Sequence, residues 1–210
     1  MRQIHLVRHG EVHNPDGVIY GRLPGFSLSA RGRRMAGLTA RHLLERDRTV
    51  DHVISSPLDR ATQSAEPIAE EFGKPVTTRP GLIEAASRLQ GKQAAMSLKI
   101  LGQPPMWRYL VNPFRPSWGE PYRHVAERML LELEFARALD GDGDVVFVSH
   151  QLPIWMTHRA VTGTGLFHDP RRRRCALSSV TTFEWHDWRW VEVGYADPAQ
   201  VMPSTDSGAV

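Results

Sequence analysis

Four residues could do chemistry together: Arg8 and its neighbour His9, Arg60, and His150. Guanidinium holds phosphate or carboxylate through a planar fork of N–H donors. Imidazole is the side chain whose charge changes most readily near neutral pH. The chemistry that suits such a set is the handling of a small anion. Each of the four also follows an apolar run. Residues 4–7 end at Arg8 and His9, residues 51–55 are followed one helical turn later by Arg60, and residues 145–148 end just before His150. In a parallel α/β sheet, ligands sit beyond the carboxyl ends of the strands. If the runs are strands, all four groups converge on one edge. A lone histidine after a strand is more often structural, so the convergence is what sets these apart.

The elements that must position them are legible in the apolar spacing. A loop over residues 14–26 carries Pro15, Gly17, Gly21, Pro24 and Gly25. Ser29 can cap a helix whose Ala36, Ala40, Leu43 and Leu44 share a face. After the second strand, Ser56 is expected as an N-cap with Pro57 at the first helical position. That helix buries Ala61, Ala65, Ile68, Ala69 and Phe72, kinks at Pro67 and closes at Gly73. Residues 75–78 form a third strand leading into 82–84, a helix fills 121–139, and residues 151–161 are helical. Residues 176–185 and 189–195 read as a closing hairpin. Alternating strands and helices predict an α/β protein, a three-layer α/β/α sandwich around a mostly parallel sheet. One domain covers residues 1–196, with an insertion at about 85–120, and a polar tail over 197–210 frays.

Composition fits a globular chain: 210 residues, 41% hydrophobic, net charge +3. A disordered tail, a collagen-like chain and a disulfide scaffold are excluded. The single cysteine, Cys175, forbids an internal disulfide and a cysteine-based zinc site. No apolar run approaches a membrane span, and the first strand begins at once without a signal peptide, so the sequence reads as soluble and cytoplasmic. The 23 arginines against 3 lysines are read as the codon bias of a GC-rich genome. Residues 140–144 imitate a calcium loop, but Val145 and Gln151 stand where it needs Gly and Glu. Arg171 to Arg174 read as a solvated loop or a rim for an anionic substrate, not a nucleic-acid patch. The ten histidines show no metal-ligand spacing, so no metal and no cofactor are expected, nor a nucleic-acid or membrane partner. A homodimer is compatible with the sequence.

Residues 6–11, Leu-Val-Arg-His-Gly-Glu, resemble the signature of the histidine phosphatase superfamily, phosphoglycerate-mutase-like branch. Residues 55–65 are similar to its second arginine motif, Leu82-Ile-Glu84 to its acid motif, and Val148-Ser-His150 to its second histidine motif. The resemblance covers about residues 3–195 and implies a phosphoglycerate-mutase-like fold. It also implies a metal-independent phosphomonoesterase that acts on a small phosphorylated metabolite through a phosphohistidine. His9 would be the nucleophile, with its other ring nitrogen held by backbone near Gly10. Arg8, Arg60 and a protonated His150 would clamp the phosphoryl oxygens, helped by Asn14 and Gln151. Glu84 would protonate the leaving oxygen and then activate water. Glu11 is expected to orient an arginine. The chain departs from the family pattern at Val12, at Asn14 (six residues after Arg8, not seven) and at Gln151 after His150. Phosphomutase is the alternative, although the mutase acid motif Glu-Arg-His-Tyr-Gly is absent after Glu84. A phosphate-binding protein with weak chemistry is the second alternative. Substrate specificity is assigned to Arg22, Arg88, Arg108, Arg115 and Arg123, with Lys92, Trp107, Tyr109, Phe114, Trp118 and His124 around them.

Overall fold

The computed structural model describes residues 1–88, 90–91 and 119–202. Among the described residues six strands form one sheet: β1 (Gln3–Arg8), β2 (Val50–Ser55), β3 (Val76–Thr78), β4 (Asp144–Ser149), β5 (Val180–His186) and β6 (Arg189–Ala196). Their order is β3-β2-β4-β1-β5-β6. The first four run parallel, and β5 and β6 close the sheet antiparallel. Helices α1 (Ala30–Leu44) and α2 (Asp59–Phe72) cover one face; α3 (Tyr122–Arg137) and α4 (Gln151–Val161) cover the other.

The three layers follow from the unbroken apolar runs. Successive strand residues point to opposite faces, so a continuous run is buried on both. Ile4, Leu6, Val145 and Phe147 pack with Met129, Leu133 and Ala136 of α3. Val7, Val146 and Val148 pack with Ala40 and Leu43 of α1 and with Ala61, Ala65 and Ile68 of α2. Register then aligns the polar ends of three strands: Arg8 lies opposite Ser149, and Val148 opposite Ser55. His9 N–H donates to the Ser149 carbonyl (3.1 Å) and Ser56 N–H to the Val148 carbonyl (2.8 Å), so the chain leaves all three strands along one edge.

Several local expectations change. Ser29 caps α1 as expected, accepting from Gly32 N–H at 2.9 Å. Ser56 is not the cap of α2; that place is taken by Leu58, without a side-chain bond, and the Ser56 hydroxyl turns to His150. The helix runs on through Pro67 and ends at Gly73, whose φ of 60° is left-handed backbone that glycine adopts without a Cβ clash. The start of the expected tail does not fray. Ala199 is buried and Met202 packs with it against Met35 and Leu177. Among the described residues, no helix is long and apolar enough to cross a membrane.

At the opposite edge of the sheet, the buried Asp144 carboxylate anchors the strand starts. It accepts from Arg48 Nε (2.6 Å) and Nη2 (2.8 Å), Gln3 N–H (2.7 Å) and His5 Nε2 (3.2 Å). Burial alone would raise its pKa; the bonds from Arg48, His5 and Gln3 outweigh burial and hold it well below the usual carboxylate range. A depressed carboxylate stabilises the fold fully above its unfolded pKa, near 3.8, and loses that contribution as pH falls below it. Asp144→Ala is therefore expected to cost roughly 3 kcal/mol in urea unfolding at pH 7. The deficit should shrink as pH falls below 3.8. A deficit independent of pH would mean that packing, not charge, holds this edge.

Candidate functional site

Beyond the carboxyl ends of β1 and β4, His9 and His150 lie side by side, with ring centroids 5.2 Å apart. Both are buried, as are Arg8, Arg60 and Glu84. The close backbone packing around His9 explains the Arg-His-Gly signature. A Cβ on Gly10 would stand 2.5 Å from the Gly32 carbonyl oxygen, and one on Gly32 would collide with the Glu11 carbonyl. Gly10 N–H donates to Ser64 Oγ (3.0 Å), and Ser64 Oγ donates to the Arg60 carbonyl (2.7 Å), tying the His9 turn to α2. Glu11 lies outside this set, as expected. It accepts from Ser29 Oγ at 2.6 Å and faces Arg31 at 3.6 Å.

His9 Nδ1 lies 2.8 Å from the Gly10 carbonyl oxygen. That oxygen can only accept, so Nδ1 carries the proton and Nε2 of the neutral ring carries the lone pair. Burial, then Arg60 and Arg8, hold the His9 pKa well below its ordinary value. Its lone pair is thus available across the neutral range. His150 Nε2 meets Ser56 Oγ at 2.7 Å. Against the expectation of a protonated His150, burial, then Arg60 and His9, push its pKa well down.

Arg60 donates from Nη2 to the Gly21 carbonyl (2.6 Å) and lies over the Tyr20 ring, 4.7 Å from its centroid. Arg8 donates from Nη1 to the Cys175 carbonyl (2.7 Å). The Cys175 thiol itself is pushed up to about 11 by burial and is no nucleophile at neutral pH. Two buried polar atoms in this cluster, Arg60 Nε and His150 Nδ1, have no hydrogen-bond partner among the described residues. Buried polar groups are normally satisfied, so such orphans mark a place where a ligand completes the bonding. The buried guanidiniums of Arg8 and Arg60 call for an anion.

Glu84 brings the opposite polarity. Burial raises its pKa, and the Ala85 N–H bond (2.8 Å) with the charges of Arg60, Arg173 and Arg8 draws it partly back. Ser149 Oγ donates to the Leu82 carbonyl (2.7 Å), fixing the acid loop to the end of β4, one residue before His150.

The remaining expected site residues are placed differently. Gln151 opens α4, and its Oε1 accepts from Arg173 Nη1 at 3.0 Å. The Asn14 carboxamide bonds both polar groups of Val18, at 2.9 and 3.0 Å, and braces its own loop. Arg22 donates to the Glu84 carbonyl (2.6 Å) and to Glu120 (2.9 Å). Arg88 is exposed on a cleft shared with Arg22, Ser87 and Glu120. Arg123 pairs with Glu127 on the solvent face of α3. Arg108 and Arg115, with Lys92, Trp107, Tyr109, Phe114 and Trp118, lie outside the described residues. Sequence reasoning missed Tyr20, Ser56, Ser64 and Arg173. Only Arg173 had a signal, as one of the four arginines at 171–174. There Arg171 and Arg172 face solvent, Arg174 pairs with Glu192, and Arg173 turns in towards His168 and Gln151.

An α/β sheet with paired histidines and arginines at one strand edge defines a class of phosphoryl-handling proteins, and the chain belongs to the histidine phosphatase superfamily (branch 1), whose pattern matches residues 4–198. It is 48% identical over 197 residues to an uncharacterized protein of Mycobacterium tuberculosis, covering 94% of this chain and 96% of that one. It is 31% identical to the probable phosphoglycerate mutase GpmB of Yersinia enterocolitica, covering 98% of each. Among solved structures it is similar to mycobacterial glucosyl-3-phosphoglycerate phosphatase in complex with VO3. There the TM-score is 0.75 and the identity 26%, with 92% of this chain and 98% of that one covered.

Proposed function

We propose that the protein is a metal-independent phosphomonoesterase that releases phosphate from a small phosphorylated metabolite through a phosphohistidine on His9. The observation that carries this reading is the His9 ring. Its Nδ1 proton is pinned to Gly10, its ring lies 5.2 Å from that of His150, and the charges of Arg60 and Arg8 act on it. A neutral nucleophile adds no charge to a phosphoryl group already bearing about two negative charges. Nε2 attacks phosphorus as the ester P–O bond breaks, and the protonated Glu84 carboxyl gives its proton to the departing alcohol. Glu84, now a carboxylate, takes a proton from water, whose oxygen attacks phosphorus and breaks the P–N bond. Inorganic phosphate leaves and His9 is restored. Arg8 and Arg60 hold the equatorial oxygens that carry the transition-state charge. Guanidinium supplies that positive charge without a metal. His150 joins the clamp when the bound dianion lifts its pKa.

A phosphomutase reading is favoured by the likeness to the probable phosphoglycerate mutase. It uses the same residues but returns the phosphoryl group to a second hydroxyl. Against it stands the sequence after Glu84, Ala-Ala-Ser-Arg, where the mutase motif is absent. The two readings separate by ³¹P NMR of 3-phosphoglycerate and p-nitrophenyl phosphate incubated with enzyme in EDTA. Release of inorganic phosphate from both is expected. Isomerisation of 3-phosphoglycerate without release would establish the mutase, and loss of all turnover in EDTA would end the metal-independent reading.

A further inference from the structure

We infer that Glu120 is a positioning residue for the Glu84 carboxyl, acting through the loop that carries it. This rests on the reading of Glu84 as the proton donor. Glu120 is largely buried, with 17% of its side chain exposed, and it gathers three segments. Its Oε2 accepts from Arg22 Nη2 (2.9 Å), and its Oε1 accepts from Arg128 Nε (3.1 Å). Weaker bonds at 3.4 Å reach Oε2 from Ala86 N–H and Arg128 Nη2. The two arginines that it holds then grip the acid loop on either side of Glu84. Arg22 Nε donates to the Glu84 carbonyl (2.6 Å), and Arg128 Nη1 donates to the Gly81 carbonyl. Glu120 N–H closes the ring by donating to the Ala86 carbonyl at 2.9 Å.

The consequence is geometric. Among the described residues the Glu84 carboxyl accepts one hydrogen bond, from Ala85 N–H, so its direction depends on where the backbone of 81–86 is held. Of the fixings on that stretch, the two from arginine side chains run through one carboxylate. Arg22 also sits in the loop whose Gly21 carbonyl holds Arg60. Glu120 therefore sets the proton donor and the clamp in register with each other. Without its charge, two partly buried guanidiniums lose their counter-ion and the loop loses its brace. A donor displaced by an ångström loses most of its advantage, because general acid catalysis needs hydrogen-bond reach to the leaving oxygen.

A donor out of place hurts most when the leaving oxygen is basic, and least when it departs readily as an anion. The test is kcat/KM for a series of substituted phenyl phosphates of nearly one shape, from p-nitrophenyl to phenyl. This parameter reports only the first phosphoryl transfer. Glu120→Gln, Arg22→Gln and Glu84→Gln are compared with wild type, and their unfolding midpoints serve as a check on folding. For Glu120→Gln and Arg22→Gln, phenyl phosphate should lose roughly 10- to 100-fold, with p-nitrophenyl phosphate within about threefold. A uniform loss along the series, or none, would overturn the inference, since a merely structural role does not follow leaving-group basicity. Should Glu84→Gln steepen the series while the other two do not, only the positioning role fails. If Glu84→Gln leaves the slope unchanged, the proton-donor reading fails, and the inference with it.

Discussion

Replacing His9 by alanine is expected to lower phosphomonoesterase turnover by about 10⁴-fold or more, leaving only what the cationic pocket gives to direct attack by water. Two imidazoles lie 5.2 Å apart, so the choice of His9 over His150 needs an argument. Nucleophilicity at Nε2 requires a proton fixed on Nδ1, and the Gly10 carbonyl provides that for His9 alone. The Nε2 of His150 is already engaged with the Ser56 hydroxyl. Burial and the flanking guanidiniums disfavour the imidazolium of His9, which keeps the lone pair open. The covalent intermediate is checked by mixing enzyme with ³²P-labelled substrate and quenching in alkali, where a phosphohistidine survives, or in acid, where it does not. Label should be retained in alkali, be lost in acid, map to the peptide containing His9, and be missing from His9→Ala. External imidazole should restore part of the variant's turnover by occupying the vacated space. A variant within tenfold of wild type, or label on His150, would exchange the two roles or abolish the covalent path.

Where function depends on backbone geometry next to a strand end, local pattern sufficed. Ile4 to Val7 and Val145 to Val148 are buried on both faces, and that alone predicts which residues emerge at the sheet edge. The strand order β3-β2-β4-β1-β5-β6 was not legible, because pairing between distant segments leaves no mark in either of them. Side chains with two plausible jobs were only partly legible for a related reason. Ser56 before Pro57 has every feature of a helix cap, yet a buried imidazole that needs a partner takes its hydroxyl. Arg22, in a glycine-rich loop near the site, reads as a substrate contact, but a half-buried guanidinium with a carboxylate and a carbonyl in reach is held by them. Asn14 closes a turn with Val18, the local bonding that Asn offers wherever the backbone permits it. In each case the residue type was informative and the partner, supplied by another segment, was not.

Glu84 and His9 have pKa values pushed in opposite directions, and that is the condition for an acid and a nucleophile to work together. Burial raises Glu84 above its ordinary 4.5, so the proton needed by the leaving alcohol persists to higher pH. Burial, with Arg60 and Arg8, lowers His9 well below 6.5, so the lone pair persists to lower pH. Their overlap is the active window of the free enzyme, which kcat/KM reports. For an alkyl phosphomonoester, kcat/KM should fall as pH rises through the Glu84 pKa, since the carboxylate has no proton to give. The acid limb, set by His9, should lie well below 6.5. Glu84→Gln should cost about 10²- to 10⁴-fold on such a substrate at acid pH. It should cost far less on p-nitrophenyl phosphate, whose leaving group needs no proton. The second ionisation of the substrate, near pH 6, is common to both enzymes and cancels in the ratio of wild type to variant. That ratio should therefore be largest at acid pH and decline towards one as pH rises and wild-type Glu84 loses its proton. A ratio flat across pH would assign the alkaline limb to another group and leave Glu84 a structural carboxyl. A ratio that grew with pH would mean that Glu84 acts first as a base.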